Sequence, residues 1–266
     1  DVVHVNPVER FLHAEVGVED VKRKLLEILR GASSDVWAKA SWALMDIAKE
    51  LLKAGRKKLA ILVDDVFQAI GLDKASIYVK GLLGLIEYPP RSYDSIVAIV
   101  ATSEGVSRRE IGRHRWANIR PMWNMGREGF KQLYNQIPGD KPGFEDVWRV
   151  AGGNPKTLAD LYQNGWSTEE VLDHIVDEKR IRALVSALNL HERELLVKAV
   201  EDPDVLMSKE GTSLMDKLVE LNLVVDTLPR REPWSWIDEP PPERDPVLGI
   251  GRDVAWQTPL HKEAVR

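Results

Sequence analysis

The fold of this chain is decided by residues 59–65, Leu59-Ala60-Ile61-Leu62-Val63-Asp64-Asp65. Five apolar residues in a row stand between the basic turn Arg56-Lys57-Lys58 and a pair of acids. This pattern is typical of a β-strand that is buried on both faces, as in a parallel sheet. The two carboxylates then lie at the carboxyl edge of the sheet, which is where open α/β folds bind their ligands.

Helices and further apolar strands alternate around this stretch. Val2-Val3-His4-Val5 predicts a short buried strand, and residues 96–101, Ile-Val-Ala-Ile-Val-Ala, predict another. Apolar residues recur at helical spacing over 18–29, 36–51 and 75–87. We therefore expect an α/β domain with a parallel sheet over residues 1–126.

The residues that follow are predicted to be mainly helical. We expect a helical domain over 127–188, including a helix that begins at the capping box Ser167-Thr168-Glu169-Glu170 and runs toward Leu188. Over 189–266, two helices followed by a strand pair predict a winged helix. Residues 229–246 hold six of the 15 prolines together with Trp234-Ser235-Trp236, and they predict an irregular insert in the hairpin.

Composition and charge exclude several classes of protein. The 266 residues contain no cysteine, which excludes disulfides, thiolate zinc sites and cysteine nucleophiles. No apolar run approaches the length of a membrane span and no signal peptide is visible, so we expect a cytoplasmic protein without a membrane partner. The net charge of −5 argues against nucleic-acid binding by the whole surface. Abundant charge with little Asn and Gln is a feature of thermophile proteins.

The acid pair predicts a site for phosphate chemistry. Asp64 can hold Mg²⁺ through water, and Asp65 can polarise an attacking water. Thr102 and Ser103 follow the next apolar strand, and their hydroxyls can reach a γ-phosphate or that water. The alternatives are a solvated strand end for the acids and a simple turn for the hydroxyls.

An arginine-rich stretch follows the second apolar strand. Between residues 108 and 127 the acid Glu110 is accompanied by six arginines: Arg108, Arg109, Arg113, Arg115, Arg120 and Arg127. A guanidinium at Arg115 suits the negative charge that develops on a transferring phosphoryl group. The same arginines also suit a surface for partner carboxylates or a phosphate patch for nucleic acid.

A glycine pair lies between two predicted helices, at Gly152-Gly153-Asn154-Pro155. Such a pair ends a helix in left-handed geometry, and Asn-Pro begins the next helix with proline in its first turn. These capping roles account for the residues completely and leave room for a part in shaping a pocket. No Gly-Lys dipeptide occurs in the chain, so the phosphate loop G-x-x-x-x-G-K-[ST] is absent from it.

Together these motifs resemble the archaeal P-loop ATPases of the AAA+/STAND group, including its NB-ARC-like members. Residues 59–68 are similar to their Walker B strand, residues 96–103 to sensor 1, and residues 152–158 to the GGNP motif of the helical lid. The resemblance implies an ASCE-type P-loop NTPase core followed by a helical lid and a winged-helix domain, with ATP and Mg²⁺ as cofactors. It implies that Asp64 holds the metal, Asp65 activates water, and Thr102 or Ser103 senses the γ-phosphate.

The same resemblance implies that Pro155 packs near the adenine, beside Gly153 and Asn154. It also implies a first strand and a Walker A loop ahead of Asp1, so we expect this chain by itself to bind ATP weakly. The function implied is a regulatory ATPase that couples nucleotide state to movement of the lid and the winged helix. The alternative is a non-catalytic scaffold or nucleic-acid-binding module that keeps the fold without the nucleotide.

The expected partners differ along the chain. Residues 186–266 carry sixteen acids against ten Lys and Arg, whereas a module that contacts phosphates needs a basic face. We therefore expect the winged-helix domain to contact a protein. Nucleic acid, if it binds, is expected at the arginine-rich stretch 108–127.

Overall fold

The computed structural model describes residues 1–9, 11–15, 23, 34–103, 105, 108, 111–112 and 118–266. The chain forms two compact units, Asp1–Ile119 and Arg120–Arg266. The helix predicted over 18–29 and most of the arginine-rich stretch lie outside the described residues. Among the helices that are described, none is long and apolar enough to cross a membrane.

The first unit contains a mixed β-sheet with three parallel strands. Strand β1 (Val2–Asn6) pairs in parallel with β3 (Lys58–Asp64), which pairs in parallel with β4 (Ser95–Ala101). The fourth strand, β2 (Phe11–Glu15), lies antiparallel to β1, and the order is β2-β1-β3-β4. The predicted parallel sheet is confirmed, whereas β2 was not predicted.

Three helices of the first unit contribute to its core. They are α1 (Ser34–Lys53), the short α2 (Val66–Ile70) and α3 (Ala75–Glu87), and a 3-10 turn, Leu72–Lys74, joins the last two. The bounds of α3 are those predicted from the helical spacing. Tyr78 of α3 is fully buried and donates a hydrogen bond of 2.9 Å to the carbonyl oxygen of Ser41 in α1. Burial raises the pKa of Tyr78 far above its ordinary value.

The parallel strands are buried on one face, which corrects the prediction of burial on both. Leu59, Ile61 and Val63 of β3 are at most 3% exposed, while the residues between them are partly exposed. On β4, the side chains of Val97 and Ile99 are 48% and 55% exposed. Because an unbroken apolar run has no alternation, the run itself does not show that one face is less covered than the other.

The second unit consists mainly of helices. In chain order they are α4 (Arg127–Gln136), α5 (Phe144–Ala151), α6 (Pro155–Gln163), α7 (Thr168–Glu178), α8 (Ile181–Ala187), α9 (Leu190–Glu201), α10 (Thr212–Glu220) and α11 (Pro259–Ala264). The helix predicted from 168 toward 188 is two helices, because Arg180 takes a left-handed conformation with φ of 53°. The predicted strand pair is confirmed: β5 (Val224–Val225) pairs antiparallel with β6 (Ala255–Trp256).

The Pro- and Trp-rich insert between β5 and β6 is largely irregular, as predicted, with one 3-10 turn at Pro233–Ser235. It is nevertheless packed around Trp236, which is 2% exposed and clusters with Leu228, Leu248 and Ile250. The indole nitrogen of Trp236 donates to the carbonyl oxygen of Arg230 at 2.8 Å. A buried Trp with a satisfied N–H gives this irregular segment its own core.

A single guanidinium holds the insert together. Arg231 donates to the carbonyl oxygens of Pro229 at 3.1 Å, Pro242 at 3.2 Å and Gly251 at 3.0 Å. Its partial burial lowers the pKa of Arg231. These contacts join the insert to Gly251, which precedes β6. The prolines limit backbone freedom, and the arginine supplies hydrogen bonds that they cannot donate.

Candidate functional site

The acid pair lies at the carboxyl edge of the parallel sheet, as predicted. Asp64 is the last residue of β3 and stands in register with Ala101, the last residue of β4. Thr102 and Ser103 follow Ala101 directly. The structure therefore brings the two acids and the two hydroxyl residues to the same edge of one sheet.

Asp65 occupies an unusual backbone conformation at the junction of β3 and α2. Its φ of 48° and ψ of 22° are left-handed, and α2 begins at the next residue. A residue other than glycine in this region is held there by its surroundings, at a cost of about 1–2 kcal/mol. Val66 and Phe67, both fully buried, anchor the helix that follows. The sharp turn at the acid pair is therefore made at some cost in stability.

Asn6 is a part of this edge that sequence reasoning missed. It ends β1, it is 4% exposed, and its Oδ1 accepts hydrogen bonds from the backbone N–H groups of Val8 and Glu9, both at 3.0 Å. Because these two donors orient the carboxamide, its nitrogen faces the acids. Nδ2 donates to Oδ2 of Asp64 at 3.2 Å and to Oδ2 of Asp65 at 3.4 Å.

One amide therefore bridges two carboxylates that repel each other. The signal that could have identified Asn6 is a polar residue at the end of the predicted strand 2–5. That signal gains meaning only from the knowledge that β1 lies beside β3, which the structure supplies.

A side chain of α2 reaches the other part of the edge. Nε2 of Gln68 donates to Oγ of Ser103 at 3.4 Å. The helix that starts at the acid pair is thereby tied to the segment that follows β4. Two sets of polar contacts therefore lie at this edge, one between Asn6 and the acids and one between Gln68 and Ser103.

The donor chemistry of this edge fits Mg²⁺. Within the described ranges, no three His, Asp or Glu side chains gather into a closed metal cage. Mg²⁺ seldom uses such a cage, because it keeps several waters and is held by one or two carboxylates together with substrate phosphates. Asp64 and Asp65 supply carboxylates of that kind.

The arginine-rich stretch is only partly described. Arg115, the predicted phosphate-facing residue, lies outside the described residues, as do Arg109 and Arg113. Arg127 forms an ion pair with Glu145 and lies over the rings of Phe144 and Trp148, 5.3 and 5.4 Å from their centroids. This arginine serves the packing of α4 on α5.

The turn at residues 152–155, called the GGNP turn below, lies in the second unit. Gly152, with φ of 58°, ends α5, and Pro155 is the first residue of α6. The side chain of Asn154 caps α6 by accepting a hydrogen bond of 2.9 Å from the backbone N–H of Thr157. The predicted capping roles are confirmed.

The two glycines are also required by close contacts. A Cβ atom on Gly153 would overlap the carbonyl oxygen of Met125, whose N–H donates to the oxygen of Gly153 at 3.0 Å. A Cβ atom on Gly152 would lie 2.6 Å from Cδ of Pro259. The turn is thus enclosed by the segment before α4 and by the start of α11.

A family model described as an ATPase domain predominantly from Archaea matches residues 1–161. The chain belongs to this archaeal ATPase family. The matched region takes in the sheet with its acid edge and continues through the GGNP turn into α6. No curated protein and no solved structure matches the chain. The family supports an ATPase-type nucleotide-binding function.

Proposed function

We propose that the protein is a Mg²⁺-dependent ATPase of the AAA+/STAND type, in which nucleotide state controls the C-terminal part of the chain. The observation that carries this proposal is the pair Asp64 and Asp65 at the carboxyl edge of a parallel sheet, bridged by Asn6, in a chain of the archaeal ATPase family. Open α/β folds place their nucleotide chemistry at this edge.

Each residue of the edge has a distinct part in the proposal. Asp64 would hold Mg²⁺ through its carboxylate, and a bound Mg²⁺ supplies neutralisation of the phosphate charge. Asp65 would orient the attacking water and accept its proton. A hydroxyl of Thr102 or Ser103 would donate to the γ-phosphate. Asn6 would keep the two carboxylates at a constant separation.

The remaining predicted residues belong to the recognition of the nucleotide. Pro155 would border the adenine, with Gly153 and Asn154 shaping the turn around it. Arg115 would approach the phosphates. For the three residues of the turn the proposal rests on the resemblance of their motif and on the enclosed geometry of the GGNP turn. For Arg115 it rests on the suitability of a guanidinium for phosphoryl charge.

The C-terminal part, residues 189–266, is proposed to be a winged helix that contacts a protein. The order α9, α10 and the β5–β6 pair supports that topology. The outer side of α10 is acidic, because Asp216 and Glu220 are exposed while Lys217 forms an ion pair of 2.7 Å with Glu192. A helix that reads DNA would present basic groups there.

A second candidate is a scaffold that keeps this fold without using nucleotide. The hydrogen bonds from Asn6 to Asp64 and Asp65 favour it, because they give both carboxylates a donor without any bound ligand. The two candidates differ in one measurable property, which is Mg²⁺-dependent binding of ATP.

Calorimetric titration of the full-length protein with ATP, with and without Mg²⁺, tests the proposal. We expect Mg²⁺ to increase the affinity of the wild type for ATP. In Asp64→Asn the affinity for ATP in the presence of Mg²⁺ should be lower by about ten-fold or more, since a carboxylate ligand is lost. Asp94→Asn is the matched control, because Asp94 is exposed just before β4, where the parallel strands have their amino ends. A wild-type protein that binds no ATP contradicts the proposal and supports the scaffold.

A further inference from the structure

We propose that Asn124 is a positioning residue that couples the GGNP turn to the C-terminal hairpin, so that the two shift together. The amide Nδ2 of Asn154 donates to Oδ1 of Asn124 at 2.8 Å, and Nδ2 of Asn124 donates to the carbonyl oxygen of Gln257 at 2.8 Å. The N–H of Gln257 in turn donates to the carbonyl oxygen of Leu223 at 2.9 Å. Two side chains thus connect a helix cap to the main chain beside β5 and β6.

The direction of this chain of hydrogen bonds is determined at both of its ends. Oδ1 of Asn154 must accept from the N–H of Thr157, so its nitrogen faces Asn124. Oδ1 of Asn124 accepts that bond, so its own nitrogen faces the carbonyl oxygen of Gln257. Each amide therefore uses one donor and one acceptor in a fixed order. An aspartate at position 124 or 154 has no donor and interrupts the chain at one known link.

Close packing prevents the turn from moving alone. Gly153 lies against the backbone of Met125, the neighbour of Asn124, and Gly152 lies against Pro259, two residues after Gln257. Packed interiors transmit small displacements because they contain little free volume. The hydrogen bonds and the glycine contacts therefore join the turn to the same two segments, which are Asn124–Met125 and Gln257–Pro259.

The series of hydrogen bonds ends at Gln257, which lies beside the core of the C-terminal part. Trp256, next to Gln257, is fully buried, and its indole nitrogen donates to the carbonyl oxygen of Ala199 in α9 at 2.9 Å. Its backbone N–H donates to Gly249 at 2.9 Å. A displacement of Gln257 consequently reaches both α9 and the turn at Gly249 that follows the insert. If the GGNP turn borders the adenine, as proposed above, Asn124 is the residue that reports nucleotide state to this module.

Hydrogen exchange of single amides in the full-length protein without ligand tests the coupling directly. Asn154→Asp keeps the oxygen that caps Thr157 but loses the donor to Asn124. The substitution therefore breaks the hydrogen bond to Asn124 and leaves the helix cap in place. We expect the Gln257 amide to exchange about three- to ten-fold faster, as the loss of one hydrogen bond implies. The Thr157 amide should be nearly unchanged. Asn124→Asp should give the same acceleration, because it keeps the oxygen that accepts from Asn154 and loses the donor to Gln257.

Two comparisons separate coupling from a general loss of stability. Asn164→Asp is the matched control, because the carboxamide of Asn164 donates at 2.8 Å within the end of the same helix, to the carbonyl oxygen of Asp160. It should leave Gln257 unchanged. Amides of α4 serve as an internal reference, since global destabilisation accelerates them too. An unchanged Gln257 amide in Asn154→Asp, with α4 unchanged, overturns the proposal.

A second arm with Mg·ADP distinguishes this inference from the proposed function on which its role rests. In the wild type, saturating Mg·ADP should slow exchange of the Gln257 amide, and Asn124→Asp should lose that effect while keeping ADP affinity within about three-fold. If the wild type does not bind ADP, the proposed function is contradicted. The coupling is then decided by the hydrogen exchange measured without ligand. Binding of ADP with the same effect on Gln257 in both proteins overturns the role of Asn124.

Discussion

Asn6, at the end of one parallel strand, donates a hydrogen bond of 3.2 Å to Asp64, at the end of the next. The same nitrogen reaches Asp65 at 3.4 Å. The carboxamide is held by two backbone donors of its own turn, so it is a fixed point against which both acids are placed. The geometry of the proposed site therefore depends on an uncharged residue that takes no part in the proposed chemistry.

Asn6→Asp tests this dependence. The new carboxylate still accepts from Val8 and Glu9 but faces two acids, so like charges meet in a buried position. We expect the free energy of unfolding at neutral pH to fall by about 1–3 kcal/mol, because a buried donor is lost and repulsion is added. Chemical denaturation measures this loss, and we expect it to be smaller at acid pH, where the added carboxylate at position 6 loses its charge.

The matched control for Asn6→Asp is Asn135→Asp, at an exposed position near the end of α4. It should change the free energy of unfolding by less than about 0.5 kcal/mol. If the two variants are equally stable at pH 7, Asn6 does not hold the acid pair. The same follows if the loss in Asn6→Asp is independent of pH.

Gly153 and Gly139 offer a matched test of the enclosed GGNP turn. Their φ values are 82° and 84°, but a Cβ on Gly139 meets nothing within 4 Å, whereas a Cβ on Gly153 overlaps Met125. Gly139→Ala should cost about 1–2 kcal/mol for the left-handed backbone alone. Gly153→Ala should cost about 1–3 kcal/mol more, because the backbones must separate. Equal costs in thermal or chemical unfolding would show that the turn has room to adjust.

His261 in α11 predicts an acid-sensitive contribution to stability. Burial, reinforced by the charge of Lys179, lowers the pKa of His261 from 6.5 to about 4; Glu178 acts in the opposite sense and Lys156 in the same sense as Lys179. The unfolded chain therefore takes up this proton first as the pH falls. The contribution is complete above pH about 6.5 and is lost as the pH falls toward 4, by at most about 3 kcal/mol.

His261→Gln should remove that part of the pH dependence, as measured by unfolding between pH 7.5 and 4. Nδ1 of His261 lies 2.8 Å from Oγ1 of Thr258, and glutamine retains a polar group there. His191→Gln is the control, since His191 is exposed in α9. If the free energy of unfolding depends on pH in the same way in the wild type and in His261→Gln, His261 does not carry the effect.

Arg231→Lys tests whether one guanidinium holds the insert. A single ammonium group cannot reach the carbonyl oxygens of Pro229, Pro242 and Gly251 together, so we expect a loss of about 1–3 kcal/mol and a looser insert. Trypsin cuts after lysine as after arginine, so its rate of cleavage within residues 229–246 reports the loosening. Arg230→Lys, at the exposed neighbouring position, should cleave like the wild type. Equal rates in both variants would assign the order of the insert to Trp236 and the prolines alone.

The elements that form locally could be predicted from the sequence. The periodicity of 75–87 predicts α3 with its observed bounds, and the apolar runs predict β3 and β4 within a residue at each end. Strand β2 could not be predicted, because an edge strand forms by pairing with its neighbour and its five residues contain no extended apolar run. The break at Arg180 also depends on a backbone conformation that side-chain spacing does not reveal.

The site shows the same division. Asp64, Asp65, Thr102 and Ser103 could be placed at one edge because the ends of adjacent parallel strands meet. Asn6 could not, since more than fifty residues separate it from Asp64 and no local pattern shows that their strands are neighbours. The links between distant segments, including Asn124 to Gln257, arise from tertiary packing alone.

The central claim is that the acid pair hydrolyses ATP, and its most direct test is the Mg²⁺-dependent release of phosphate by Asp65→Asn in the full-length protein. The account predicts that kcat falls by about 100-fold or more while ATP still binds, because the residue that orients water and accepts its proton is lost. Asp94→Asn, at the opposite edge of the sheet, should keep the wild-type kcat. Hydrolysis by Asp65→Asn at the wild-type rate would contradict the account.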